Sequence, residues 1–253
     1  MEKYTDNFCR TEHKYLITRY EAEKFQELAE PFLMDDLYPQ YNLHNIYYDT
    51  PDNLLIIRSL GQPVYKEKLR MRSYGDPGKD TPVFVEIKKK YKGIVYKRRI
   101  ALPYEQAQAF LDQGIMPEKP TQITKEIGYM LTQYRPEKKL YISYDRRAYS
   151  GSQEQDLRVT LDTNIRYRCE DLSLLENGTE QLLLEEDAVL LEIKVSGRYP
   201  VWLSNILTEM KIYRSSFSKY GAIYTRQNYH PYTGRSKVSE VTEMEGNTCL
   251  IQF

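Results

Sequence analysis

Seven residues from Lys66 to Arg72 place Lys66, Lys68, Arg70 and Arg72 at every second position. In a β-strand, residues two apart share a face, so these four cations stand side by side. Leu69 and Met71 fall on the opposite face, with Glu67 the exception there. Like charges in a row repel unless water or an anion lies opposite. The same alternation recurs in Glu12/Lys14, Glu86/Lys88/Lys90, Tyr144/Arg146, Arg158/Thr160/Asp162 and Glu192/Lys194/Ser196. Lys and Arg suit phosphate, and carboxylates suit a hard divalent cation. Each pair also has a plain reading, as a surface salt bridge or a solvated strand edge that deters aggregation. Taken singly, these stretches leave open whether the ionic face is an outer surface or the lining of a polar cavity.

The elements that must position these residues are mostly strands. Arg10 to Ile17, Leu43 to Asp49, Lys66 to Arg72, Val83 to Lys90 and Ile94 to Leu102 read as strands. So do 139–149, 156–168, 181–184 and 188–196. Helices are expected from the Thr18-Arg19-Tyr20-Glu21 capping box to about Ala29, and over 53–60, 104–113, 124–134, 200–210 and 218–228. Trp202, Ile206 and Met210 form the expected apolar side of the 200–210 helix. The order of elements predicts an α+β fold on an antiparallel sheet of about eight strands, near the number at which small barrels close. If the helices pack on the Leu/Ile/Val faces of a closed sheet, the ionic faces turn inward and form a tunnel.

Composition narrows the partners. The chain of 253 residues has zero formal net charge, 41% hydrophobic and 28% charged residues, which fits a packed globular domain. Charge is uneven: residues 65–99 hold twelve Lys/Arg against four Asp/Glu, whereas 170–192 hold eight Asp/Glu and no Lys or Arg. A basic block in a neutral chain fits a local polyanion site better than adhesion to nucleic acid or membrane. The three cysteines lack a CxxC pair and the three histidines lack ligand spacing, which argues against a disulfide framework, a zinc site or a His-based triad. No stretch of about 18 apolar residues occurs, so a soluble, cytoplasmic protein without membrane insertion is expected. Residues 1–235 read as one domain, and 236–253 as an acidic tail expected to be mobile.

Eight motifs occur in the order seen in the VTC domain. They are Arg10-Thr-Glu12-His-Lys14-Tyr, Tyr47-Tyr-Asp49-Thr, Leu69-Arg70-Met-Arg72, Val85-Glu86-Ile-Lys88, Tyr144-Asp-Arg146, Leu161-Asp162, Leu191-Glu192-Ile-Lys194 and Ser218-Lys219-Tyr220. The chain therefore resembles, over about residues 8–229, the polyphosphate-polymerase domain of the vacuolar transporter chaperone family, within the triphosphate tunnel metalloenzymes. The resemblance implies a closed, CYTH-like antiparallel β-barrel with helices outside. It implies transfer of the ATP γ-phosphoryl group to inorganic polyphosphate, assisted by Mn2+ or Mg2+. By motif, Arg70, Arg72 and Lys88 would act on the transferring phosphate. Lys14, Tyr144, Arg146, Lys194, Ser218 and Lys219 would bind the phosphate chain, joined on the alternating pattern by Lys66, Lys68 and Arg158. Glu192 would hold the metal, with Glu12 and Glu86 as further carboxylates. The superfamily's first motif often reads Glu-x-Glu-x-Lys, and here Arg10 fills the first Glu position. Eukaryotic members carry an inositol-phosphate sensing domain and membrane helices, so regulation and export here are expected to need partners, including a membrane protein. A triphosphate or polyphosphate hydrolase and a non-catalytic polyphosphate- or nucleotide-binding module are the alternatives.

Overall fold

The computed structural model describes residues 10–228, apart from 76, 79, 80, 93 and 177. The expected acidic tail lies outside these residues. Strand β1 (Arg10–Thr18) runs into helix α1 (Arg19–Ala29) through the expected capping box. The Glu21 amide donates to Thr18 Oγ1 at 3.2 Å and the Thr18 amide donates to the Glu21 carboxylate at 2.7 Å. Strand β2 (Leu33–Asp49) is ten residues longer at its start than the alternation suggests. Its first half pairs outside the apolar pattern, with a register shift between Asp35 and Gln40. Helix α2 (Leu54–Leu60) precedes the meander β3 (Tyr65–Tyr74), β4 (Pro82–Tyr91) and β5 (Ile94–Pro103). Helices α3 (Tyr104–Gln113) and α4 (Gln122–Tyr134) follow. Then come β6 (Glu137–Gly151), β7 (Arg158–Arg168), the two-residue β8 (Gln181–Leu182), β9 (Ala188–Ser196), α5 (Val201–Glu209) and α6 (Lys219–Asn228).

The strands form one sheet in the order β1-β9-β7-β6-β2-β3-β4-β5, with β8 beside β7 and every pair antiparallel. The closed barrel expected from the sequence is corrected in one respect. The pairing path ends at β1 and at β5, and no ladder joins them among the described residues. The sheet is nevertheless strongly curled. Glu12 of β1 reaches Lys88 of β4 at 3.5 Å, although the two strands stand near opposite ends of the strand order. A single bridge, Ser215 N to Lys14 O at 2.7 Å, occupies the edge of β1 that β9 leaves free.

Two apolar clusters cover the convex face. Tyr15, Ile17, Val159, Leu191 and Ile193 pack under α1 and α5, which supply Phe25, Leu203, Ile206 and Leu207. The fully buried side of α5 is Leu203/Ile206/Leu207, and of the expected Trp202/Ile206/Met210 stripe the outer two, Trp202 and Met210, pack half-buried against the same cluster. Trp202 also stacks on Phe32 with ring centres 4.6 Å apart. Ile46, Leu69, Met71, Val85 and Ile87 pack under α3 and α4, which supply Phe110, Ile127 and Met130. Glu67, the exception on that face, is buried but paired with Lys89 at 3.8 Å. A third cluster corrects the expectation of a wholly ionic inner face. Leu43, Leu140, Ile142 and Leu190 share the concave face with the charges, and there meet Ile56 of α2 and Tyr220 and Ile223 of α6. The two helices fill one end of the trough.

One carboxylate fixes that end. Asp49, fully buried, accepts from the Leu55 amide at 2.8 Å, from the Ile56 amide at 2.9 Å and from Tyr220 Oη at 3.0 Å. It caps the first turn of α2 and ties α6 to it. Asp49→Ala leaves those buried donors without an acceptor, and is expected to lower stability by about 2–4 kcal/mol in urea denaturation. A loss no larger than that of Tyr220→Phe would show that the helix amides do not depend on this carboxylate.

Candidate functional site

The register places the predicted charges on one surface. Directly opposed residues of an antiparallel pair share a face, so Lys66, Lys68, Arg70 and Arg72 of β3 align with Lys90, Lys88, Glu86 and Phe84 of β4. On the other side of β3, Arg70 faces Tyr47 and Arg72 faces Asn45 of β2. Across the trough, Lys14 faces Glu192, Lys194 faces Arg158, Thr160 faces Glu192, and Arg146 faces Asp162. Helix α6 adds Lys219, and the residue before it, Ser218, accepts from Lys68 Nζ at 3.2 Å.

Three buried carboxylates organise these cations. Glu86 accepts from Arg70 Nε at 2.7 Å and pairs with Lys97 of β5 at 2.9 Å. Burial would raise its carboxyl, but Arg70, Arg72 and Lys97 hold it far below the usual carboxylate range. Asp162 takes two bonds from Arg146, at 2.6 and 2.8 Å, and one from Lys219 at 2.5 Å. Against burial, Lys219 and Arg146 also depress its carboxyl. Glu192 pairs with Lys194 and, at 3.4 Å, with Lys14, which also pairs with Glu12 at 3.4 Å. Burial raises the Glu192 carboxyl, and Lys194, Lys14 and Arg146 overcome it and bring it well below the usual range.

The predicted site residues thus separate into groups. Lys14, Glu12, Glu192, Lys194 and Lys88 converge where β1 and β9 approach β4. Arg70, Arg72, Tyr144, Arg146 and Lys219 form a second group. Arg72 donates from Nε to Asn45 at 2.8 Å and from a terminal nitrogen to Tyr144 Oη at 3.2 Å, and Lys219 Nζ lies 4.1 Å from the Tyr144 ring centre. Lys66 donates to the Ser59 carbonyl at 3.3 Å, near α2. Two residues stand apart from their assigned roles. Arg158 is turned to the carbonyls of Gln155 and Leu157 and towards Asp36, so its guanidinium braces the rim. Glu86 serves Arg70 and Lys97, not the other two carboxylates.

Among the described residues no group of three or more His, Cys, Asp or Glu could hold a metal ion. The chemistry of Glu12 and Glu192 still fits a small divalent cation. Mg2+ is usually held by one or two carboxylates, with water and substrate phosphates completing the shell. Glu12 and Glu192 share Lys14, and although burial and the Glu192 charge push the Glu12 carboxyl up, Lys88, Lys194 and Lys14 bring it below its usual value, so both anions sit among the same cations. Thr160 Oγ1, opposite Glu192, is buried with no hydrogen-bond partner among the described residues, leaving a polar atom for a ligand or its water.

The sequence reading missed Tyr47 and Lys97 as site residues. Both lie at concave-face positions of the alternating pattern, and Tyr47 sits in a motif already singled out. Tyr47 Oη accepts from Arg70 at 3.1 Å. Burial raises its hydroxyl, but Arg70, Arg72 and Lys68 bring it down to about 7. Lys68 is lowered to about 8, mainly by burial, with Lys14, Lys88 and Lys66 adding repulsion that Tyr47 partly offsets. The expected outcome of a pH titration is a tyrosine ionising near neutrality, with its tyrosinate absorbance lost in Tyr47→Phe. If that absorbance persists in Tyr47→Phe, the assignment fails. The sign is set by the cations: above about pH 7 the face loses one unit of positive charge to Tyr47, and above about pH 8 another from Lys68.

This geometry has counterparts. A candidate adenylate cyclase from Bacillus halodurans aligns with a TM-score of 0.52 at 14% identity, over 85% of this chain and 96% of that one. A candidate adenylyl cyclase from Hippeastrum, described as revealing a dominant triphosphatase activity, aligns with a TM-score of 0.53 at 16% identity, over 88% of this chain and 98% of that one. At these identities the likeness is one of fold. No curated protein matches the sequence. The VTC domain matches residues 9–226, nearly all of the described chain and every cation of the trough. The chain therefore belongs to the VTC domain family.

Proposed function

We propose that the chain is a polyphosphate polymerase that moves the γ-phosphoryl group of ATP onto the end of an inorganic polyphosphate. The observation that carries the reading is the length of the cation row. Lys66 to Arg72 on β3 covers six residue steps, about 20 Å at strand rise, more than a triphosphate requires. Lys88 and Lys90 of β4 lie beside its far part, and Glu12, paired with Lys14 and opposite Lys194, reaches Lys88 across the trough. A terminal phosphate oxygen of the acceptor attacks the γ-phosphorus. The bond from phosphorus to the β,γ-bridging oxygen breaks, and ADP leaves. No proton has to move in that exchange, so positioning and charge neutralisation suffice, and no Ser, Cys or His nucleophile is needed.

Arg70, Arg72, Arg146 and Lys219 would neutralise the transferring group, and Lys14, Lys68, Lys88 and Lys194 would hold the chain in line. Glu12 and Glu192 would hold Mn2+ or Mg2+, which when bound draws charge from the phosphate oxygens. The hydrolase alternative differs in the attacking oxygen. Water must lose a proton, and Tyr47, brought down to about 7 among the cations, favours that second reading because it could accept one. The partners of the first reading are ATP and polyphosphate, with export left to a membrane-protein partner. Among the described residues no helix is long and apolar enough to cross a membrane.

Incubation with ATP and a short polyphosphate primer, following chain length and orthophosphate together, tests the reading. Chain growth is expected; orthophosphate release alone would replace the polymerase with a hydrolase, and neither product would leave a binding module. Tripolyphosphate affinity is expected to fall steeply between two ionic strengths, because bound cations release counterions from the polyanion. Glu192→Gln should abolish metal-dependent turnover while metal-free tripolyphosphate binding stays intact or tightens. Lys194→Ala should weaken that binding by roughly 1.5–3 kcal/mol, the range for a hydrogen bond to a charged group. Full metal-dependent turnover in Glu192→Gln would remove Glu192 from the metal site.

A further inference from the structure

The end of the trough where β3 finishes is aromatic. Strand β3 ends there at Tyr74 and β4 starts there, with Phe84 opposite Arg72. Tyr41 of β2 stands opposite Arg146, and Tyr74 opposite Leu43, so all three rings belong to the concave face. The ring centres of Tyr41 and Tyr74 are 5.5 Å apart, and those of Tyr74 and Phe84 are 5.4 Å apart with the planes at 90°. Tyr74 and Phe84 belong to none of the three apolar clusters, and Tyr74 is 38% exposed. Two guanidinium groups lie beside the rings: Arg99 is 4.9 Å from the centre of Phe84, and Arg72 is 5.9 Å from that of Tyr74. Arg72 is also bonded to Asn45 and Tyr144 of the phosphate face, so one side chain joins the rings to the cations.

We infer that Tyr74 and Phe84, with Tyr41 behind them and Arg99 alongside, form the base-binding site of a nucleoside triphosphate whose phosphates enter the trough past Arg72. The inference rests on the phosphate-binding reading above. A ligand that suits this end of the trough carries a flat aromatic group joined by a short polar linker to a phosphate chain. Stacking is favourable for any base, because every base presents a π-face, and a guanidinium adds a cation–π contact. The exposed ring of Tyr74 gives such a group a surface that the described residues leave partly uncovered. An inorganic polyphosphate has no part that gains from these rings, so the rim distinguishes the donor from the acceptor.

The test compares the β,γ-imido analogue of ATP with inorganic tripolyphosphate by calorimetric titration of the full chain. Tyr74→Ala is expected to weaken the nucleotide analogue about 5- to 150-fold, the range for one lost stacking contact, and to leave tripolyphosphate unchanged. Phe84→Ala should act in the same direction, and Tyr74→Phe, which keeps the ring, should bind the analogue like the parent. Equal weakening of both ligands, or no weakening of the analogue by either alanine variant, overturns the base site. If the parent chain itself does not bind tripolyphosphate, the phosphate-binding reading fails and the base site with it. That result is read before any variant is made.

Discussion

The structure depends on how a dense group of cations is held on one concave surface. Unpaired, Arg70, Arg72, Arg146, Lys14 and Lys219 would repel one another at low dielectric, and each would lose hydration. The fold offsets this with three buried carboxylates, each on a strand that also carries or faces a cation. Glu86 serves β3 and β5, Asp162 joins β6 to α6, and Glu192 joins β9 to β1. Removing one member of such a pair leaves a buried charge without a partner, which is far more destabilising than the pair is stabilising. The anions thus set which strands can be neighbours as well as how the cations point.

The convex face meets the opposite constraint. Leu, Ile and Val alternate with the charges, and helices α1, α3, α4 and α5 cover them in two clusters. The concave side thus carries the long polar side chains and the convex side the helices. The curl brings Glu12 to Lys88 without joining β1 to β5 by a ladder. An ion pair and one Ser215–Lys14 bridge stand where a closed barrel would have a strand pair.

Much of this was legible in the residues. Alternation at period two located every long strand, and the capping box at Thr18–Glu21 located α1, because both signals are local. The cationic side of β3 was legible for the same reason. The inner apolar cluster was not. Leu43, Leu140, Ile142 and Leu190 occupy face positions that the pattern assigns to charges, and their burial depends on α2 and α6, which arrive from distant sequence. The early half of β2 was missed because its pairing to β6 follows no hydrophobic alternation. The contacts of Arg158 were not legible, because its strand position says which face it is on, but not that nearby carbonyls and Asp36 hold its guanidinium. Tyr47 was missed because a tyrosine on a strand is usually packing, and only the three cations around it change its chemistry. The rings of Tyr41, Tyr74 and Phe84 come from three strands, and only the register brings them together.

The built-in carboxylates bear on how the cations meet a phosphate. Arg146 spends Nε and one terminal nitrogen on Asp162, and Arg72 spends the same pair on Asn45 and Tyr144. A guanidinium has five N–H donors in a rigid fork, so a group fixed along one edge still presents its other terminal nitrogen in a defined direction. Lysine has no such division. Lys194 and Lys14 are held by Glu192 as point charges, and a phosphate arriving there would share the ammonium with the carboxylate. The arginine half of the trough is therefore oriented before a ligand arrives. The lysine half is neutralised beforehand, at the place where Glu12 and Glu192 meet. Orientation suits a group undergoing transfer, whose charge must be met in one geometry. Ammonium groups already neutralised by carboxylates hold a phosphate less tightly and in no single orientation.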